Sequence, residues 1–271
     1  QLHAVYTGND GQLAGENLTA ENGQLDTQQL QAFVAKNDLA GAQTTVLIGL
    51  ADYQMLLVEA PPVEAAELAE ALKWKVKDLL TQSVEQSLVD GFVLPEDAFR
   101  GRQKMAYAVA TQREKVQALV DCLESVGLQI ETVSIGELSL LSQFEGLDEH
   151  PALLLVIGES GGFMSMVANQ NIYLVRQLDA DQQDLLAEDK RAQALGRLVL
   201  EIQRSRDYFE SQMGKGVINR LLLLPSNKEM PGLSDELKGQ LGLPIEMLTI
   251  ESTESVKSTE QLLLSASLHA A

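Results

Sequence analysis

Apolar positions along the chain follow two periods. Short β-type runs predict strands over Leu2 to Thr7, Thr44 to Gly49 and Tyr53 to Glu59, and only three residues separate the last two, which predicts a hairpin. Between the first two runs, Thr27 to Lys36 places Leu30, Phe33 and Val34 on one side of a helix. Pro61 and Pro62 stop the third run. After them Ala65, Leu68, Ala69, Leu72, Val76 and Leu79 recur at steps of three and four, an apolar stripe on a charged helix and therefore a packing face. Met105 to Ala110 reads as a strand, Thr111 as the N-cap of a helix with Glu114 three residues later, and Leu128 to Val133 as the next strand. That succession predicts a compact α/β unit.

In the second half, Leu153 to Ile157, Phe163 to Val167 and Ile172 to Leu178 are separated by turn residues at Gly158 to Gly162 and Asn169 to Asn171, which predicts an antiparallel meander. A long helix follows from about Asp189 to Met213, burying Leu195, Leu198, Val199, Ile202 and Phe209, with Gly214 placed to end it. Leu221 to Leu224 and Pro244 to Ile250 read as strands bracketing a short helix, and Gln261 to Ala270 as a closing helix. No repeat of fixed period is present.

Length and charge narrow the function. The 271 residues suffice for two lobes, so a cleft has to be considered. With 39 acidic against 20 basic residues the surface repels phosphate backbones, which argues against nucleic acid and anionic lipid as partners. No apolar run approaches the ~18 to 20 residues of a membrane span, and no secretion signal opens the chain, so a cytoplasmic location is expected. The single cysteine, Cys122, agrees with a reducing compartment. The sequence begins on Gln1 rather than Met, so a natural N-terminal stretch is expected to precede it.

Candidate chemistry is sparse. His3, His150 and His269 lie far apart without neighbouring ligands at metal spacing, so no metal is expected. Cys122 sits among Leu119, Val120, Leu123 and Val126 in a helix, where a small core residue is the plainer reading than a reactive thiolate. The cluster Gly158, Glu159, Ser160, Gly161, Gly162 is either a tight hairpin turn or a loop whose N–H groups face a phosphate. It lacks the Lys and Ser/Thr of a P-loop. Trp74, the only tryptophan, lies opposite Leu72 on the helical wheel. It either packs under a neighbouring subdomain or meets a partner, and Lys73, Lys75 and Lys77 make a small basic island around it.

Several stretches taken together resemble the MshI proteins of mannose-sensitive haemagglutinin (MSHA) pilus operons and, more distantly, the PilM proteins of type IV pili. The residues that carry the resemblance are Thr44 to Pro62 leading into Ala71, Leu72, Lys73, Trp74 and Lys75, then Lys104 to Leu123, and most specifically the helix of Glu201 to Phe209. It covers nearly the whole chain. The resemblance implies an α/β, actin-like fold related to FtsA and PilM, with a first lobe over residues 1–147, a small α/β subdomain inserted at about 64–134, and a second lobe over residues 148–271. It also implies a cytoplasmic scaffold, peripheral to the inner membrane, that holds the tail of a PilN-like membrane protein and links it to the pilus assembly ATPase. Contact with the membrane would run through that partner. Partner-binding candidates are Trp74, Lys73 and Lys77.

The nucleotide pattern of that fold is altered here. Its first Asp-x-Gly loop would precede Gln1. At the second, Val156 stands in the place of the metal-orienting Asp, while Gly158, Ser160, Gly161 and Gly162 remain as a vestigial phosphate loop. At the third, Pro225, Ser226 and Asn227 stand where glycines are expected. Without a carboxylate to position magnesium and water, no hydrolysis and no required cofactor are expected, ATP included. The alternatives are a nucleotide-binding actin-like ATPase and a GspL-like cytoplasmic domain of type II secretion.

Overall fold

A computed structural model describes residues 2–7, 12–18, 20–21, 24–100, 104–141, 151–159, 161–178, 182–224, 230–248, 250, 256 and 261–264. The chain divides into two compact units. The first comprises Gln1–Gly49, Gln112–Gln143 and Ile250–Ala271, the second Leu50–Thr111 and Phe144–Thr249.

In the first unit, β1 (Leu2–Thr7) pairs antiparallel with β2 (Leu13–Leu18), and the short β3 (Ala20–Glu21) with β4 (Gln24–Leu25). Helix α1 (Thr27–Lys36) starts at Asp26, whose side chain accepts from the Gln28 N–H at 2.8 Å and so satisfies one of the free donors of the first turn. It buries Leu30, Phe33 and Val34, as its spacing predicts. These pack with Leu18, Val46, Leu123 and Leu128 as a core. Strand β5 (Gln43–Ile48) pairs in parallel with β9 (Gln129–Ile135), and α4 (Gly136–Ser139) follows β9. Within the closing helix expected from Gln261, residues 261–264 are helical, and the remainder lies outside the described residues.

Three expectations need correcting here. The strands at Thr44 and Tyr53 form no hairpin: a 3-10 turn at Leu50–Asp52 carries the chain out of the first unit, and β6 (Tyr53–Glu59) pairs with β8 instead. The strand, helix and strand over Met105 to Val133 all form, as β8 (Met105–Gln112), α3 (Arg113–Ser125) and β9, but the strands join different sheets. Thr111 is not a cap. It belongs to β8, and its hydroxyl donates to the Asp52 carbonyl at 2.8 Å, while Gln112 precedes the helix.

The second unit holds a three-stranded sheet in the order β6, β8, β7 (Ser87–Val93), with α2 (Leu68–Val76) on one face. Leu72 and Val76 are wholly buried there against Val58, Val89, Ala106, Ala108 and Ala110. The predicted stripe ends early, because the helix stops at Val76 and Leu79 is exposed. The larger sheet runs β12 (Asn171–Leu178), β11 (Gly161–Ala168), β10 (Ala152–Gly158), β13 (Leu221–Leu224) and β14 (Ile245–Met247). Its first three strands are the predicted meander. Every residue of β10 and β13 is buried, as befits central strands covered on both faces. Short α5 (Gln182–Leu186) leads to α6 (Arg191–Tyr208), which widens into one π-type turn at Phe209–Met213 and ends at Gly214 in the left-handed region, φ 68°. Helix α7 (Leu233–Leu241) connects β13 to β14.

Candidate functional site

On α2, Trp74 is 57 % exposed, so its indole is not covered within its own unit. The Glu70 carboxylate one turn earlier holds two candidates together. It accepts from Trp74 Nε1 at 2.9 Å and pairs with Lys73 at 3.5 Å. Lys75 pairs with Glu59 of β6 at 3.5 Å. The basic island is thus largely neutralised by local carboxylates, and Lys77, exposed past the helix end, makes no ion pair among the described residues. What α2 presents on its outer face is chiefly an apolar ring, hydrogen-bonded to Glu70.

The glycine cluster closes β10 onto β11. Gly158 and Gly161 face each other in register across a two-residue turn, of which Ser160 lies outside the described residues. Each of the last two glycines has a structural reason, one of backbone conformation and one of packing. Gly161 has φ 125°, which side chains rarely adopt, and a Cβ on Gly162 would stand 2.5 Å from the Val156 carbonyl oxygen. Glu159 puts a carboxylate at the turn, which opposes an incoming phosphate. Val156 is 1 % exposed between Phe163 and Leu224, an apolar side chain with no atom to hold a metal or its water. Among the described residues no three His, Cys, Asp or Glu side chains form a metal-binding group.

A third feature was not legible in the sequence. A cavity of about 530 Å³ is lined by Met55 and Leu57 of β6, Tyr107 of β8, residues 174–177 of β12, and Glu201, Arg204, Ser205 and Tyr208 of α6. Tyr107, nine-tenths or more buried, closes one side: its hydroxyl donates to the Val175 carbonyl at 3.0 Å and accepts from the Val175 N–H at 2.8 Å. Since β12 is the edge of its sheet, those two backbone groups would otherwise be orphans. Beside this contact Tyr173 packs edge-on against Phe209, and its hydroxyl donates to Asp97, which also pairs with Lys215. The Lys215 ammonium holds the Asp97 carboxyl below its usual range, and burial pushes the Tyr173 phenol up.

No family model and no curated protein matches the sequence, whereas solved structures do. A chain of the PilM-PilN type IV pilus biogenesis complex aligns with a TM-score of 0.75 at 17% identity, over 98% of this chain and 94% of that one. A Bacteroides thetaiotaomicron protein with an actin-like ATPase fold aligns with a TM-score of 0.53 at 11% identity, over 93% and 86%. The fold is actin-like. The cytoplasmic domain of EpsL, an inner membrane component of the type II secretion system of Vibrio cholerae, is similar to this actin-like chain with a TM-score of 0.53 at 16% identity, over 98% and 88%.

In the actin-like frame the glycine turn is the first hairpin of the five-stranded sheet. The positions Pro225, Ser226 and Asn227, just past β13, lie outside the described residues. No helix among the described residues is long and apolar enough to cross a membrane.

Proposed function

We propose that this chain is a non-catalytic cytoplasmic scaffold in the inner-membrane platform of a type IV pilus of the MSHA kind. It holds the cytoplasmic tail of a PilN-like membrane protein and links it to the assembly ATPase. The observation that carries this reading is the end-to-end likeness to a chain of the PilM-PilN complex. Charge supports it as well. Cytoplasmic segments next to membrane helices are rich in Lys and Arg, and a chain of net charge -19 attracts them. Val156 at the place of the metal-orienting Asp, and Glu159 at the turn, support a cleft that does not hydrolyse ATP.

The test is a titration of the protein with a synthetic peptide of the PilN-like tail, following heat and Trp74 fluorescence, with and without Mg-ATP. Saturable micromolar binding that nucleotide leaves unchanged is expected. Binding that requires ATP, or steady phosphate release that stops when Gly158 is replaced by a bulky residue, would overturn the non-catalytic reading. The likeness to EpsL favours one second reading, a cytoplasmic portion of a type II secretion component. A membrane helix following this region in the full gene product, with no affinity for the pilus tail, would decide for it.

A further inference from the structure

We propose that the groove between β6, β12 and α6 binds an extended partner segment that alternates apolar and acidic side chains. The site goes beyond the tail-binding role above and does not depend on it.

The apolar wall sets the period. Met55 and Leu57 stand two residues apart on one face of β6, and Leu57 is in register with Tyr107 on β8. The repeat of side chains along one face of a strand is about 7 Å, so an extended peptide meets this wall with every second residue. Its intervening side chains point the other way. The facing walls carry Arg176 of β12 and Arg204 of α6, with Tyr208 beneath Arg176 at 5.8 Å from ring centroid to guanidinium.

These arginines differ from the cations that carry ion pairs elsewhere among the described residues. Lys36, Lys73, Lys75, Lys104, Lys190, Arg191, Arg197 and Lys215 all sit beside carboxylates. Arg176 and Arg204 are exposed and make no ion pair among the described residues, although 39 acidic residues are available in the sequence. Stacking on Tyr208 preorganises the Arg176 guanidinium while leaving its N–H fork open to a carboxylate. Glu201 lines the same wall of α6, so the occupant's carboxylates are directed to the two arginines and away from that end. Because Tyr107 already satisfies both Val175 backbone groups, the segment is held there by side chains rather than by adding a strand to β12.

The experiment uses the intact chain and a short dye-labelled peptide alternating Leu and Glu, read by fluorescence anisotropy. Saturable binding is expected, weakened about tenfold or more by Arg176→Gln and by Arg204→Gln, and abolished by Leu57→Glu. Lys115→Gln on α3 is expected to leave it unchanged, and circular dichroism melts confirm that each variant is folded. A Leu and Lys peptide that binds as tightly, full affinity in both arginine variants, or displacement by equimolar inorganic phosphate would overturn the proposal. Failure of the tail titration with retained Leu and Glu peptide binding would count against the scaffold role alone.

Discussion

The two sheets of the second unit use apolar residues in opposite ways. In the five-stranded sheet β10 and β13 are buried along their whole length, and their leucines exist to fill a covered interior. The small sheet is covered by α2 on one face, and around it Val63, Trp74, Leu79, Leu88 and Val93 stay exposed. A continuous apolar run therefore tells of architecture, whereas single apolar residues left in water on a thin subdomain carry no packing role, and their use is read only from a binding measurement.

The sharpest test of that contrast is a truncation in the covered sheet. Leu154→Ala leaves a cavity in a wholly buried strand and is expected to cost about 2 to 5 kcal/mol in a urea melt. Tyr107→Phe comes next, because it keeps the ring and strands two backbone groups of Val175; a loss of about 1 to 3 kcal/mol is expected. If Tyr107→Phe were silent, a water or another group would be serving the β12 edge. On the exposed side, Trp74→Ala should change stability by no more than about 0.5 kcal/mol while weakening the tail peptide; a large fall in Tm with intact binding would make the indole a packing residue after all.

The last effect is electrostatic. Lys215 depresses the Asp97 carboxyl below the ordinary value of 3.8, so the folded state binds that proton less readily than the unfolded chain. The stability it contributes is present above 3.8 and fades as pH falls through the lower, folded value. Asp97 is largely exposed, so Asp97→Asn should cost under about 1 kcal/mol near neutrality, and the gap from wild type should close in acid melts below pH 3.8.

Elements with local causes were legible in the sequence. Helix α1 begins and ends where its spacing places it, the meander follows from its two turns, and Gly214 ends the long helix. Pairing that depends on distant chain was not. Nothing near Thr44 reveals that β5 joins β9 rather than β6, and the polar, glycine-containing β2 carries no strand pattern of its own. Among candidate residues, the exposure of Trp74 was visible because a lone indole on the wrong side of a helix is conspicuous. The groove was invisible for the opposite reason: Leu57, Tyr107, Arg176 and Arg204 are ordinary residues until four separated segments bring them to one cavity.

The order in which the ribosome delivers the chain has its own consequence. The smaller unit is assembled from three stretches, the last beginning at Ile250, and β5 cannot find β9 until residues 129–135 have emerged. At roughly 5 to 20 residues per second, β5 waits several seconds for its partner, whereas the meander of β10, β11 and β12 closes within one short stretch of synthesis. Strand β5 is therefore the part of a nascent chain for which a chaperone has most use.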